Sequence, residues 1–260
     1  MKKRTAFIGA ILSLIPLGQP LIIKTGLVLS SSALMISLPD KLNAVDNSYY
    51  FNRAYDKAES GDHYGAISDY TKAIEIDPYD DSAYHNRAVS RENLNQCYKA
   101  IADYLRAIEI KSDRSISYQG IGNCKSKLGD YHGAISAFTK AIEINPSNAS
   151  AYYNRGNAKR KLNDNYGAIS DYTKAIEIDP KKNEAYYNRG NRKLDIKDYY
   201  GAISDYTKAI EIDPKDKSAY KNRGIAKEEI GDLKGACDDW KQTLFLSPND
   251  DAAKWVRDSC

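Results

Sequence analysis

From residue 47 onward, small, aromatic and charged side chains return in the same order at a fixed interval. The stretch YYNRGNAKRKLNDNYGAISDYTKAIEIDP, beginning at Tyr152, reappears thirty-four residues later as YYNRGNRKLDIKDYYGAISDYTKAIEIDP, beginning at Tyr186. A strict period of that length marks a repeat array. The same frame gives units starting at Asn47, Asp81, Ser115, Ala149, Asn183 and Lys217, without insertion or deletion. In the first half of each unit a Tyr at the fourth position (Tyr50, Tyr84, Tyr118, Tyr152, Tyr186, Tyr220) precedes a small residue at the eighth (Ala54, Ala88, Gly122, Gly156, Gly190, Gly224). A spacing of four puts both on one helical face. An Asp able to cap a following helix comes next in five units, with Gln96 the exception. The second half has Ala at the twentieth position, an aromatic at the twenty-fourth and a small residue at the twenty-seventh, and these steps predict helix, not strand. Pro78, Pro146, Pro180, Pro214 and Pro248 close five units, where a helix must stop; Ser112 closes the other. The predicted element is a helical hairpin, repeated six times.

These residues are the signature of the tetratricopeptide repeat, and the chain resembles that family, in its bacterial and cyanobacterial form, over every unit from 47 to 250. The resemblance implies an all-α fold, a right-handed α-solenoid of six helical-hairpin repeats (47–80, 81–114, 115–148, 149–182, 183–216 and 217–250), whose first helices line a concave groove that binds peptides or partner domains. One unit cannot bury its own apolar face, so the units must stack. Residues 251–260, with Ala253, Trp255 and Val256, are expected to form a short amphipathic capping helix.

Charge adds an internal comparison. Arg stands at the seventh position of five units (Arg53, Arg87, Arg155, Arg189, Arg223), and Asp at the twenty-third of the same five (Asp69, Asp103, Asp171, Asp205, Asp239). In the third unit both vanish together, leaving Ile121 and Ala137. A cation lost only with its anion indicates a pair spanning the two helices, since either charge alone near a core is costly. A row of anion-binding arginines is the alternative.

The formal charge of +3 is accounted for by residues 1–46, so the repeats are neutral and carry no basic stripe of the kind nucleic acid requires. His63, His85 and His132 fall at different repeat positions, and no phosphate-gripping glycine loop is present. No cofactor, metal site or catalytic residue is implied. The expectation is a non-catalytic protein-interaction scaffold; the alternatives are a membrane-tethered assembly factor and an enzyme with its chemistry hidden in the groove.

Residues 1–46 differ in kind. A basic start (Lys2, Lys3, Arg4) leads into apolar residues 6–18, and a second apolar stretch runs from Leu21 to Leu38. This is a signal peptide or membrane-anchor region. Pro16, Pro20 and Lys24 interrupt it, and Ala44 offers a cleavage point, which favours export over a retained anchor. Localisation is expected to be exported (periplasm, lumen or extracellular) or membrane-associated.

The resemblance places the groove at the fifth, ninth, twelfth and thirteenth positions of the first helices. The middle of that surface is basic and rich in Asn, and it supplies the candidate partner-binding residues Asn123, Lys127, Tyr153, Asn157, Arg160, Lys161, Tyr187 and Asn191. The expected partner is another protein, held as an extended segment with each carboxamide giving donor and acceptor to its backbone; solvated Asn side chains are the alternative. The family's clamp for acidic chaperone tails is absent, since no unit has Lys at its second position or Arg at its sixth. Cys97 and Cys237 sit in second helices, and Cys124 and Cys260 share the tenth position of the helix that follows. Disulfides Cys97 with Cys124 and Cys237 with Cys260 are expected if the compartment is oxidising, and four reduced thiols otherwise.

Overall fold

In the computed structural model the described residues are 46–248 and 252–260; the export-signal and anchor readings fall on residues 1–45 and lie outside them. The described residues form thirteen helices and no strand. Six hairpins pair α1 (Asn47–Glu59) with α2 (His63–Ile76), α3 (Asp81–Asn93) with α4 (Cys97–Ile110), and α5 (Ser115–Lys127) with α6 (Tyr131–Ile144). The series continues through α7 (Ala149–Lys161) with α8 (Asn165–Ile178), α9 (Asn183–Asp195) with α10 (Tyr199–Ile212), and α11 (Lys217–Glu229) with α12 (Leu233–Leu246). Each hairpin packs on the next, which makes the array an all-helical solenoid. No helix among the described residues is long and apolar enough to cross a membrane.

The second helices start where their caps dictate. Asp62 accepts from the Gly65 amide at 2.9 Å, and Asp130, Asp164, Asp198 and Asp232 repeat the bond. The glycine follows from the cap, because a Cβ on Gly65 would lie 2.0 Å from the Asp62 carboxylate. Where Gln96 replaces the Asp there is no side-chain cap, and Lys99 stands in place of the glycine.

The small residues let the helices close on the aromatic rings. Ala66, Ala100, Ala134, Ala168, Ala202 and Ala236 are fully buried, as are Tyr172, Tyr206 and Trp240. A Cβ added to Gly156 would meet the Tyr172 ring at 2.8 Å. The last pair is covered by α13 (Ala252–Ser259), whose buried face is Ala252, Trp255 and Val256. Trp255 and Val256 pack as the sequence suggested, whereas Ala253 is exposed and Ala252 is buried in its place.

The Arg and Asp side chains form the expected cross-helix pairs. In the fourth unit Arg155 donates through Nε and Nη2 to the two oxygens of Asp171 at 2.9 and 2.6 Å, and the same fork closes on Asp69, Asp103, Asp205 and Asp239. The third nitrogen reaches back one unit, from Arg155 to Thr139 at 3.0 Å. Arg87, Arg189 and Arg223 do the same with Thr71, Thr173 and Thr207. A second cation, Lys159, sits 2.8 Å from Asp171. In the third unit, where the acid is missing, the corresponding Lys125 turns to Asp130 at 3.0 Å, and Ile121 and Ala137 are buried instead.

The hydrogen bond from Arg53 holds the Asp69 carboxyl down at about 2, well below the ordinary carboxylate range. A depressed pKa contributes stability that is present above the unfolded value, about 4, and is lost as pH falls toward the folded one. Asp171 is buried and held by two hydrogen bonds from Arg155, so Arg155→Ala is expected to cost about 2–3 kcal/mol by leaving that carboxylate short of its main partner. The double change Arg155→Ile with Asp171→Ala, which copies the third unit and lets Lys159 turn to Asp164, is expected to recover most of that loss. Denaturant unfolding of the three proteins checks this; a double variant no more stable than the single one contradicts the pairing.

Candidate binding groove

The first helices α5 and α7 bring the candidate residues together at the centre of the array. One cleft of about 360 Å³ is lined by Ser126, Lys127, Tyr131, Asn157, Ala158, Arg160 and Lys161. It shares Ser126, Lys127 and Asn157 with a neighbour of about 290 Å³, to which Glu92, Asn123, Phe138 and Asn154 contribute. Five of the eight candidate residues thus face two adjoining clefts, while Tyr153, Tyr187 and Asn191 line neither.

The carboxamides are not the free donors and acceptors expected from the sequence. Asn157 Oδ1 accepts from the hydroxyl of Tyr172 at 2.8 Å and from Asn188 of the next unit at 3.5 Å. Asn191 Oδ1 accepts from Tyr206 and Asn222, both at 2.8 Å. The same Asn188 and Asn222 amides donate to the hydroxyls of Tyr153 and Tyr187 at 2.9 and 3.2 Å. A polar seam therefore joins each of these units to the next, and Tyr153, Asn157, Tyr187 and Asn191 belong to it. They are half-buried, so they do not simply face solvent. Asn123 lacks one part of the arrangement, because Phe138 has no hydroxyl; it accepts only from Asn154, at 3.0 Å.

The signal for this seam was in the sequence: Asn recurs at the sixth position as Asn52, Asn86, Asn154, Asn188 and Asn222. The exception is Gly120, and there the ring of Tyr104 fills the space, since an added Cβ would lie 2.3 Å from it. Tyr104 donates instead to Glu92, at 2.9 Å.

The remaining groove polarity is charge. Lys127 lies 3.4 Å from Glu92, whereas Arg160 and Lys161 form no ion pair among the described residues. Burial pushes the His85 pKa down to about 4, so the ring is neutral near pH 7; its Nδ1 lies 2.9 Å from the Ser117 hydroxyl. Ser117 is completely buried, so the pair forms part of the contact between α3 and α5.

Cys237 and Cys260 are joined as a disulfide, with Cα atoms 5.7 Å apart. The other expected bond is not made: Cys97 and Cys124 are free thiols. Both are buried in one cluster with Ala88, Ala100 and Tyr104. Burial, and then the hydrogen bond with Cys97, raise the pKa of Cys124 far above the ordinary thiol range, which keeps it protonated.

Three family models match the sequence, one described as TPR repeat over residues 122–163 and two as tetratricopeptide repeat, over 149–182 and over 48–80, 81–114 and 184–216. Together they span more than half of the chain. No curated protein matches it. Among solved structures the chain is similar to YrrB, a TPR protein with an unusual peptide-binding site, at 25% identity and a TM-score of 0.64, over 72% of this chain and 97% of that one. It shares its fold with MamA, at 23% identity and a TM-score of 0.61 over 67% of this chain and 94% of that one. The same holds for pilF of Pseudomonas aeruginosa, at 15% identity and a TM-score of 0.69 over 81% and 96%.

Loss of the seam is expected to be a stability defect. Asn191→Ala strands the buried hydroxyl of Tyr206 and leaves the Asn222 amide with Tyr187 alone, which costs about 1–3 kcal/mol. Lys161→Ala, at an exposed position, is expected to leave the unfolding midpoint unchanged. Equal midpoints for the two variants would show that the seam contributes nothing.

Proposed function

The chain belongs to the tetratricopeptide repeat family, and on that premise we propose that it is a non-catalytic scaffold that holds an extended segment of another protein across the clefts between the third and fourth units. The observation that carries this reading is the pair of adjoining clefts between α5 and α7, which share Ser126 on their common wall. The polar seam consumes the Asn157 oxygen and leaves its amide hydrogens, so this residue serves the carbonyl oxygens of a bound backbone. The solved YrrB structure, described as having an unusual peptide-binding site, supports a peptide as the ligand class.

The location is testable without knowing the partner. Full-length protein used as bait in a lysate of its own organism is expected to retain a defined protein. Ser126→Trp, which puts a bulky ring into the wall shared by both clefts, is expected to reduce that capture more than about tenfold while thermal unfolding stays the same. Undiminished capture by a folded Ser126→Trp protein would place the binding surface elsewhere.

We further propose that the scaffold works in an oxidising compartment outside the cytoplasm. The Cys237–Cys260 bond supports this, because such bonds persist where thiols are not kept reduced. Alkylation of the unfolded native protein without reductant is expected to label Cys97 and Cys124 and to spare Cys237 and Cys260. Four labelled thiols would remove the support.

A further inference from the structure

Arg160 is an exception to the way this chain handles its cations. Burial raises the phenol pKa of Tyr172, and Arg160 and Arg192 both oppose that rise by their charge, Arg160 also through a side-chain hydrogen bond. Their surroundings differ. Arg192 donates to Asn165 at 3.3 Å and pairs with Asp195 at 2.6 Å. Arg160 has no acid partner among the described residues; its Nε is covered without an acceptor, as is that of Arg192, so the missing carboxylate is what distinguishes the two. A half-buried guanidinium without a counter-charge leaves part of its donor fork unused.

Nothing in the repeat plan calls for a cation there. The twelfth position holds Ala58, Glu92, Ser126, Leu194 and Glu228 in the other units. The cleft that Arg160 lines also holds Lys127 and Lys161, and no carboxylate forms part of its wall. Elsewhere in the chain an Arg fork of Nε and Nη2 closes on both oxygens of an Asp, five times over. At Arg160 the same fork is open.

We propose that the cleft of about 360 Å³ binds the carboxylate side chain of an Asp or Glu in the bound segment, with the Arg160 fork as its ligand and Lys127 and Lys161 as flanking charge. This rests on the groove reading above and names the chemistry of its partner, an acidic stretch of polypeptide. The Arg160 side chain turns its fork into the cleft it already lines and gains there the acceptor it lacks. A planar fork on a carboxylate gives two parallel, charge-assisted bonds, so a single acidic residue sets the register of the segment. Neutral Gln or Asn at that place leaves the cation unpaired and is discriminated against.

The test uses full-length protein and fluorescein-labelled dodecapeptide pools, random except for one central residue fixed as Glu, Asp, Gln, Asn, Lys or phosphoserine. Fluorescence anisotropy is expected to show the Glu and Asp pools binding about tenfold more tightly than the Gln and Asn pools. Arg160→Gln is expected to abolish that preference and to leave the affinity for the Gln pool as it was. Arg160→Lys keeps the charge without the fork and retains only part of the preference. Because Arg160 has no carboxylate partner in this chain and gives up only its contact with Tyr172, which a Gln amide can still donate to, the unfolding midpoint of Arg160→Gln should stay close to that of the parent. Binding of all pools without acid preference, or a preference that survives Arg160→Gln, overturns the carboxylate site and leaves the groove reading standing. A phosphoserine pool preferred over Glu also overturns it. Failure of every pool to bind overturns both.

Discussion

A guanidinium locked onto a carboxylate between two helices is the interaction on which this array depends. The small residues let the helices approach closely, and that approach removes Asp171 and its counterparts almost entirely from water. A carboxylate in that position is tolerable only with its charge matched and its oxygens filled, and the Arg fork together with a Lys one turn later does both. Because the same Arg also reaches a Thr of the preceding unit, one residue fixes the hairpin internally and in register with its neighbour. Van der Waals packing then has a single arrangement to perfect.

The third unit shows the alternative solution. It fills the same volume with Ile121 and Ala137, and it releases Lys125 to cap chemistry at Asp130. Replacing a buried ion pair by apolar groups of suitable shape is energetically tolerable, whereas half a replacement is not. This explains why the two charges, and the Thr that Leu105 replaces one unit back, are absent together. The central clefts open beside this apolar unit, where the wall owes least of its charge to internal pairing.

The fold was almost wholly legible in the sequence, because each unit repeats the same steps of three and four and the array offers six aligned readings of them. The Arg–Asp pairs were legible for the same reason: a joint loss in Ile121 and Ala137 is a signal that needs no coordinates. The groove was less so. Asn157 and Asn191 looked like ligands because their partners, Asn188 and Asn222, lie thirty-one residues on, and a carboxamide carries no charge whose disappearance would betray the pair. Cys124 shares the repeat position of Cys260, but Cys97 lies one helical turn before the position of Cys237, and a common pair of neighbouring helices does not bring two sulfurs together. On α13 Trp255 and Val256 pack as expected, and Ala252 takes the place expected of Ala253, because no repeat precedent fixes that position.

The ties between units also govern how a gene for such an array can change length. Each joint is shared, a Thr from one unit meeting an Arg from the next, so excision of the whole fourth unit rejoins Thr139 with Arg189 and recreates an equivalent joint. Excision of the third unit instead sets Leu105 against Arg155, with no hydroxyl to receive the guanidinium. Loss or duplication of the fourth or fifth unit thus preserves the joint, whereas the second and third units, with Leu105 against Ile121, fit their neighbours only when kept together.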